Sequence, residues 1–181
     1  MRPFFASRTP HAKIRGVIDG LLISELKAFA DDRGVIRELF RASAMPPQRP
    51  WKQVNITENV QGALRGMHAE EMTKLVGVAS GAAFGAWVDL RPASRTYGEV
   101  VTVPLVVGTS VLVPAGVGNG FQATAPGLTQ YVYCFDEEWQ PDMPGVACSP
   151  LDPDLAIPWP LPISAISEKD SSLPAFASLR S

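Results

Sequence analysis

Short runs of apolar and β-branched residues recur along the chain, and Gly, Pro, Asp or Asn residues separate them. Such runs with regular turn signals are typical of β-strands, and no long segment shows the 3.6-residue period of a helix. The pattern therefore predicts an all-β sandwich, barrel or jelly roll with little helix, limited to one turn near Arg41–Met45. The predicted strands are Leu21–Ala28, Val35–Phe40, Gln53–Asn59, Ala63–His68, Lys74–Ala79, Ala83–Leu90, Glu99–Val106, Ser110–Val113, Phe121–Thr124 and Thr129–Phe135.

The last predicted strand has apolar residues on both of its faces. Successive side chains of a strand point to opposite sides, so residues two apart share a face. Tyr131, Tyr133 and Phe135 share one face, and Val132 and Cys134 share the other. We therefore expect this strand to be buried on both sides, with the Cys134 thiol in the core.

The stretch from Pro141 to Pro174 differs from the rest because it is rich in proline and still carries aliphatic residues and Trp159. Proline lacks a backbone N–H and is rare in central strands. We expect an extended Pro-rich C-terminal segment that lies over the body of the protein. The length of 181 residues, without a linker or repeat, predicts a single domain over residues 1–181.

Charge and composition exclude several classes of partner. There are 16 Lys and Arg residues against 18 Asp and Glu, a net charge of −2, so we expect no nucleic-acid partner. No apolar stretch approaches the roughly 18 residues of a membrane helix, and the first residues lack the apolar core of a signal peptide. We therefore expect a cytoplasmic protein without a membrane partner.

The segment from Gly108 to Asn119 resembles the second motif of the cupin jelly roll. In that motif a Gly starts a strand, Pro-x-Gly makes the turn, and a His follows as a metal ligand; here the last position holds Asn119. The chain has only two histidines, His11 and His68, so the usual cluster of three cannot form. The resemblance implies a barrel without the metal, and a metal-dependent cupin oxygenase is a distant third alternative.

A more specific set of motifs runs through the chain in order. Together these motifs resemble the dTDP-4-dehydrorhamnose 3,5-epimerase family of cupins, over about residues 17–174. Each piece alone is weak, whereas the ordered set is specific. The pieces are Asp32-Arg33-Gly34 with Glu38 and Phe40, Gln53-Val54-Asn55, Leu64-Arg65-Gly66-Met67-His68, Lys74-Leu75-Val76, Val88-Asp89-Leu90-Arg91, Ser94-Arg95-Thr96-Tyr97-Gly98, Tyr133, Trp139-Gln140-Pro141, Asp152-Pro153-Asp154-Leu155, Trp159-Pro160 and Ser167-Glu168-Lys169-Asp170.

The resemblance implies an isomerase that acts on a nucleotide-diphosphate 4-keto-6-deoxyhexose, in deoxysugar biosynthesis. It implies inversion of the carbons next to the ketone, with no metal and no organic cofactor. By position, His68 corresponds to the base and Asp170 to the carboxylate that orients it. Lys74 corresponds to the cation beside the carbonyl oxygen, and Tyr133 to the acid.

The resemblance also implies residues that bind the substrate and a homodimer. Dimers of the family exchange N-terminal strands, so the strand Val35–Phe40 would carry Arg33 and Glu38 to the partner's pocket. The residues that match positions holding the nucleotide and diphosphate are Arg33, Glu38, Gln53, Asn55 and Arg65, while Asn119 and Trp139 stand near the sugar.

The reaction itself asks for these residue types. A proton next to a ketone is far less acidic than imidazolium, and each pKa unit of mismatch costs about 1.36 kcal/mol. The enolate oxygen therefore needs stabilisation, which a Lys ammonium supplies. A His is neutral and ready to accept a proton near pH 7, and a Tyr hydroxyl can donate to the opposite face of the ring.

The surroundings of these residues depart from the family's pattern. Asn119 replaces a His, Gly85 replaces the Asp that partners it, and Ile36 replaces an aromatic residue. The loop from His68 to Lys74 is also shorter than usual. We therefore predict a protein that acts on a narrower or different set of sugar positions than a full 3,5-epimerase. The alternative is a non-catalytic nucleotide-sugar-binding or structural cupin.

Overall fold

Most of the predicted strands form in the computed structural model, which describes residues 14–15, 18–46 and 50–180. The only regular structure besides strands, within these ranges, is one short α-helix and two 3-10 helices at Ala42–Ala44 and Phe176–Arg180. The helical turn predicted near Arg41–Met45 is thereby confirmed. The elements are β1 (Ile14–Arg15), β2 (Leu22–Glu25), β3 (Ala28–Asp31), β4 (Gly34–Arg37), β5 (Gln53–Val60), β6 (Leu64–Glu70), β7 (Lys74–Ser80), β8 (Ala82–Asp89), β9 (Val100–Val106), β10 (Thr109–Val113), β11 (Val117–Ala123), β12 (Leu128–Phe135), β13 (Gly145–Ala147) and α1 (Glu168–Ser171).

The strands are arranged in two facing antiparallel sheets and a separate hairpin. The six-stranded sheet has the order β1-β2-β10-β7-β12-β5, and the five-stranded sheet has the order β13-β6-β11-β8-β9. Strands β3 and β4 pair only with each other. Because neighbours within each sheet are distant in sequence, the chain crosses repeatedly between the sheets, as in a jelly roll. The all-β, cupin-type barrel is confirmed.

The alternation along β12 explains why both sides of the six-stranded sheet are buried. Tyr131 faces the inside of the barrel, where it packs with Val76, Trp87 and Phe121 of other strands. Residues of opposite parity point outward: the outer cluster contains Leu75, Leu112, Val132 and Cys134, with Leu39, Met45 and Trp51 packed against it. The prediction that β12 is buried on both faces, with Cys134 in the core, is confirmed.

The C-terminal segment covers the outside of the five-stranded sheet. Met67 and Val88 of that sheet pack in one cluster with Cys148 and Leu155 of the segment and with Phe176, which follows it. The indole N–H of Trp159 also donates to the backbone oxygen of Pro150, at 2.8 Å. The segment contains only β13 and α1 as regular elements, and α1 contacts β6.

Three strands differ most from the prediction, and the one expected at Val35–Phe40 ends at Arg37. The strand expected at Leu21–Ala28 is divided into β2 and β3, and the strand expected from Phe121 starts at Val117, so Asn119 lies inside β11. The run Gly118-Asn119-Gly120 has low intrinsic β-propensity, which hid the strand from the sequence pattern. A Cβ atom at Gly120 would contact Met67 Sδ and lie 2.9 Å from the backbone oxygen of Arg65, so close packing of neighbouring strands requires glycine there.

The end of β8 carries a buried carboxylate, that of Asp89. The Asp89 side chain accepts hydrogen bonds from Arg91 at 2.7 and 2.8 Å and from the hydroxyls of Ser94 and Thr96, both at 2.6 Å. Burial opposes ionisation, but these donors outweigh it and hold the pKa of Asp89 well below its usual range. The carboxylate therefore ties the loop after β8 to the sheet.

We expect Asp89→Asn to lower the free energy of unfolding at pH 7 by about 2–4 kcal/mol, because a buried ion pair is broken. Since the pKa is lowered on folding, the stabilisation is full above the unfolded value of about 4 and is lost as the pH falls. Urea unfolding at pH 7 and pH 3 measures the free energy of unfolding of both proteins. The difference between wild type and variant should be smaller at pH 3 than at pH 7. The exposed Asp142→Asn is the matched control; a gap that stays constant with pH would contradict the prediction.

No helix within the described ranges is long and apolar enough to traverse a lipid bilayer.

Candidate active site

A cavity of about 310 Å³ opens at one end of the barrel, between the two sheets. Strands β5, β7 and β12 of one sheet and β6 and β11 of the other contribute side chains to it. The structure thus brings together seven of the predicted residues: Asn55, Arg65, His68, Lys74, Asn119, Tyr133 and Trp139. The remaining lining residues are Thr57, Gly66, Glu70, Phe121 and Phe135.

An irregularity in β6 brings two of the predicted residues to the same side. Arg65 and His68 are three positions apart, so in a regular strand they would point to opposite faces. Their partners on β11, Phe121 and Asn119, are only two positions apart, which means that β6 carries an extra residue between them. Gly66 lies in this bulge with φ of +112°, and a Cβ atom there would be 2.5 Å from the facing strand's backbone. Only glycine fits this position.

His68 and Asp170 form a direct pair. The Nε2 of His68 lies 2.8 Å from Oδ1 of Asp170, which is presented by α1. The backbone N–H of Gly66 donates to the other carboxylate oxygen at 3.2 Å, and the Ser167 hydroxyl caps the backbone N–H of Asp170. Burial disfavours the charged carboxylate, but His68 and these donors outweigh it and hold the pKa of Asp170 below its usual value. The carboxylate is therefore ionised and fixes the orientation of the imidazole.

Lys74 is a buried cation beside the histidine. Its side chain is only 4% exposed, and its Nζ donates to the backbone oxygen of His68 at 3.1 Å and to the carboxylate of Glu70. Burial lowers the pKa of Lys74, while the charge of Glu70 opposes this change. For Glu70, burial acts against ionisation, but the charge of Lys74 prevails and lowers the pKa. The two groups thus stabilise each other as an ion pair in the cavity wall.

Tyr133 lines the cavity from the six-stranded sheet, which faces the sheet that carries His68. It lies on β12 between Asn55 of β5 and Val76 of β7, and its hydroxyl is hydrogen-bonded with Thr57. Burial raises the pKa of Tyr133, with a smaller opposing effect from the charge of Arg65. The phenol is therefore protonated at neutral pH and is placed to donate its proton.

Polar residues around the mouth hold one another in place. The Nε of Arg65 donates to Oδ1 of Asn59 at 2.7 Å. The Gln53 side chain donates to Asn55 at 3.0 Å and accepts from the backbone N–H of Trp139 at 2.8 Å. Gln53 does not line the cavity itself, so within one chain it positions two residues that do.

Two of the predicted binding residues lie away from the cavity of their own chain. Arg33 is on the β3–β4 hairpin, where it pairs with Asp31 at 2.6 Å and its side chain is 86% exposed. Glu38 follows the hairpin and pairs with Arg41. A role of these residues in a partner's pocket stays a prediction.

Sequence reasoning missed two polar side chains that line the cavity, Glu70 and Thr57. Glu70 follows His68 by two positions on β6, and Thr57 follows Asn55 by two positions on β5. The two-residue period of a strand was therefore the signal that could have found both. Across the described ranges, no three His, Cys, Asp or Glu side chains are grouped so that they could hold a metal ion.

Comparisons with known proteins find relatives over most of the chain. The family model described as dTDP-4-dehydrorhamnose 3,5-epimerase matches residues 15–178. A dTDP-4-dehydrorhamnose 3,5-epimerase from Streptomyces griseus is 36% identical over 177 residues, which cover 90% of this chain and 85% of the relative.

Two solved structures show the same fold. The dTDP-6-deoxy-D-glucose-3,5-epimerase from Legionella pneumophila, in complex with dTDP-4-keto-L-rhamnose, matches with a TM-score of 0.85 and 29% identity, over 94% of this chain and 97% of that one. A 3'-monoepimerase from Streptomyces bikiniensis, in complex with dTDP-quinovose, matches with a TM-score of 0.80 and 32% identity, over 88% and 85% of the two chains.

The similarity covers nearly the whole chain, including every strand that lines the cavity. It also agrees with the ordered motifs in the sequence, from the one that ends at His68 to the one that ends at Asp170. The chain therefore belongs to the dTDP-4-dehydrorhamnose 3,5-epimerase family.

Proposed function

We propose that the protein is an isomerase that inverts a carbon next to the ketone of a nucleotide-diphosphate 4-keto-6-deoxyhexose, in the synthesis of deoxysugars. The observation that carries this proposal is the placement of His68, paired with Asp170, and Tyr133 on opposite sheets around one cavity. Inversion needs a base on one face of the sugar ring and an acid on the other, and this geometry supplies both.

The reaction follows from the charges in the cavity. Neutral His68 takes the proton from the carbon, and Asp170 stabilises the imidazolium that forms. The electron pair of the broken C–H bond moves to the carbonyl oxygen and gives an enolate, which the ammonium of Lys74 stabilises. Tyr133 then donates its proton to the opposite face of the same carbon and restores the ketone. His68 and the phenolate regain their starting states by proton exchange with solvent.

Glu70 keeps Lys74 charged in this reaction. Burial alone would favour neutral Lys74, and a neutral amine would stabilise an enolate poorly. The Glu70 carboxylate keeps the amine protonated before the substrate arrives. The ammonium is therefore already in place to stabilise the negative charge that develops on the substrate oxygen.

The mouth of the cavity suits the nucleotide diphosphate. We assign Asn55, Arg65 and Trp139 to substrate binding, with Gln53 as the residue that positions two of them. A guanidinium matches the geometry of phosphate oxygens, and an indole ring offers a flat apolar surface. The relative from Legionella pneumophila was solved with a nucleotide sugar, which supports this assignment.

Hydrogen exchange tests the proposal. The protein is incubated in D2O with a panel of nucleotide 4-keto-6-deoxysugars, and NMR follows deuterium incorporation and configuration at each ring carbon. We expect exchange with inversion at one carbon or more, unaffected by a chelator. Binding of a nucleotide sugar without exchange would instead favour the alternative of a non-catalytic cupin, for which the relatives described above give no support. Activity that a chelator removes would contradict metal-free chemistry.

We also propose that the protein acts in the cytoplasm as a homodimer in which the β3–β4 hairpin reaches the partner. The hairpin exposes Phe29, Val35 and Ile36. With 67% of its surface exposed, Ile36 is among the most exposed large apolar residues. Burial of such side chains in a symmetric interface would remove them from water and place Arg33 and Glu38 near a second cavity.

Ile36→Asp is expected to weaken the dimer at least about tenfold in sedimentation equilibrium, because it puts a charge in the interface. Leu151→Asp, at an exposed position outside the hairpin, is the control.

Mixing an Arg33→Ala protein with a His68→Ala protein tests whether Arg33 serves the partner's cavity. If it does, half of the dimers are mixed and each of these has one intact site, so about a quarter of wild-type activity should return. A monomer with full activity at micromolar concentration would overturn the proposal.

A further inference from the structure

The amide of Asn119 is held in one orientation by two buried donors. Its Oδ1 accepts from the indole N–H of Trp87 at 2.9 Å and from the hydroxyl of Tyr131 at 3.3 Å. An indole nitrogen can only donate, so the atom that faces it must be the amide oxygen. Both donors are fully buried, and Tyr131 is stacked on Phe121 with ring centroids 3.9 Å apart. Rotation of the amide would place its NH2 group against the indole N–H.

The other end of the amide is free for a ligand. Asn119 lines the cavity, and within the described residues the hydrogen bonds of its side chain are those that Oδ1 accepts. Its Nδ2 therefore has two protons to donate and no protein acceptor in that part of the chain. Asn119 is also the direct neighbour of His68 across β11 and β6, and side chains at such paired positions lie about 5 Å apart. A donor thus stands beside the base.

Gly85 makes this arrangement possible. A Cβ atom there would collide with the Trp87 ring and lie 3.0 Å from Leu105 Cδ1. The indole occupies the space that any larger residue at this position would need. The two departures seen in the sequence, Gly85 and Asn119, are therefore parts of one neutral network whose centre is Trp87.

We propose that Asn119 is a specificity-determining residue, whose oriented NH2 group donates a hydrogen bond to a neutral sugar oxygen next to the carbon that His68 deprotonates. This inference rests on the proposed function. Because an amide does not titrate near neutral pH, the group recognises an oxygen without moving a proton. Trp87 acts through Asn119 and is a positioning residue. The site thus favours substrates that carry a hydroxyl there.

The test uses wild type, Asn119→Asp and Trp87→Phe with nucleotide 4-ketosugars that carry or lack the hydroxyl on each carbon near the ketone. Asn119→Asp keeps the acceptors for Trp87 and Tyr131 but removes the donor. We expect it to lower kcat/KM about 10- to 100-fold for the sugar with the contacted hydroxyl, and much less for the sugar without it. Trp87→Phe should give a smaller loss with the same dependence on the hydroxyl, chiefly in KM.

The added charge of Asn119→Asp affects every sugar, so the comparison between sugars isolates the donor. Thermal unfolding reports whether each variant folds, and a nitrogen-15 spectrum of wild type should show one Asn side-chain NH2 pair, absent in Asn119→Asp, that shifts when the nucleotide sugar binds. Equal losses for all sugars, or an NH2 pair that does not shift, would overturn the inference. If wild type exchanges no sugar of the panel, the proposed function fails instead, and the two failures are distinct.

Discussion

His68→Ala is expected to reduce hydrogen exchange at the sugar carbon by about 10³- to 10⁴-fold. The substitution removes the group that takes the proton from this carbon. Asp170→Asn should lose about 10²-fold and still bind substrate, since the imidazole remains but its orientation and charge are less well supported. Exchange in D2O gives the rates, and calorimetric titration with a nucleotide sugar gives the affinities.

The double variant distinguishes a working pair from two independent residues. Groups that act as a unit are not additive, so His68→Ala with Asp170→Asn should be hardly worse than His68→Ala alone. The exposed Asp142→Asn serves as the control for a lost carboxylate away from the cavity. Losses that multiply in the double variant would mean that Asp170 contributes independently of the histidine.

Tyr133→Phe is expected to separate exchange from inversion. With the phenol removed, His68 still takes the proton and returns solvent deuterium to the same face, so deuterium enters without a change of configuration. We expect inversion to fall at least about 100-fold, while exchange falls about tenfold or less. NMR of the sugar measures both quantities in one sample.

Tyr97→Phe is the matched control, because Tyr97 stacks on Phe176 outside the barrel and away from the cavity. It should leave exchange and inversion unchanged. Inversion at the wild-type rate in Tyr133→Phe would show that another donor protonates the far face. An equal loss of exchange and inversion would show that Tyr133 serves the first proton transfer instead.

The sequence alone was sufficient for the barrel and for most of the cavity. Alternation in β12 showed two buried faces, and the ordered motifs identified His68, Lys74, Tyr133 and Asp170. These features are local, because a strand's period is two residues and a motif is a short run of residue types. Glu70 was within reach of the same reasoning, since it follows His68 on the same face.

The tertiary structure alone decided how these residues meet. The bulge at Gly66 turns Arg65 and His68 to one side, and it depends on the register with β11, which no local pattern reveals. The orientation of the Asn119 amide depends on Trp87 and Tyr131, which come from different strands and become neighbours only when the sheets close. Local sequence thus determined which groups are present, whereas strand register and the packing of the two sheets determined which atoms face the substrate, because both are set by contacts between residues far apart in the chain.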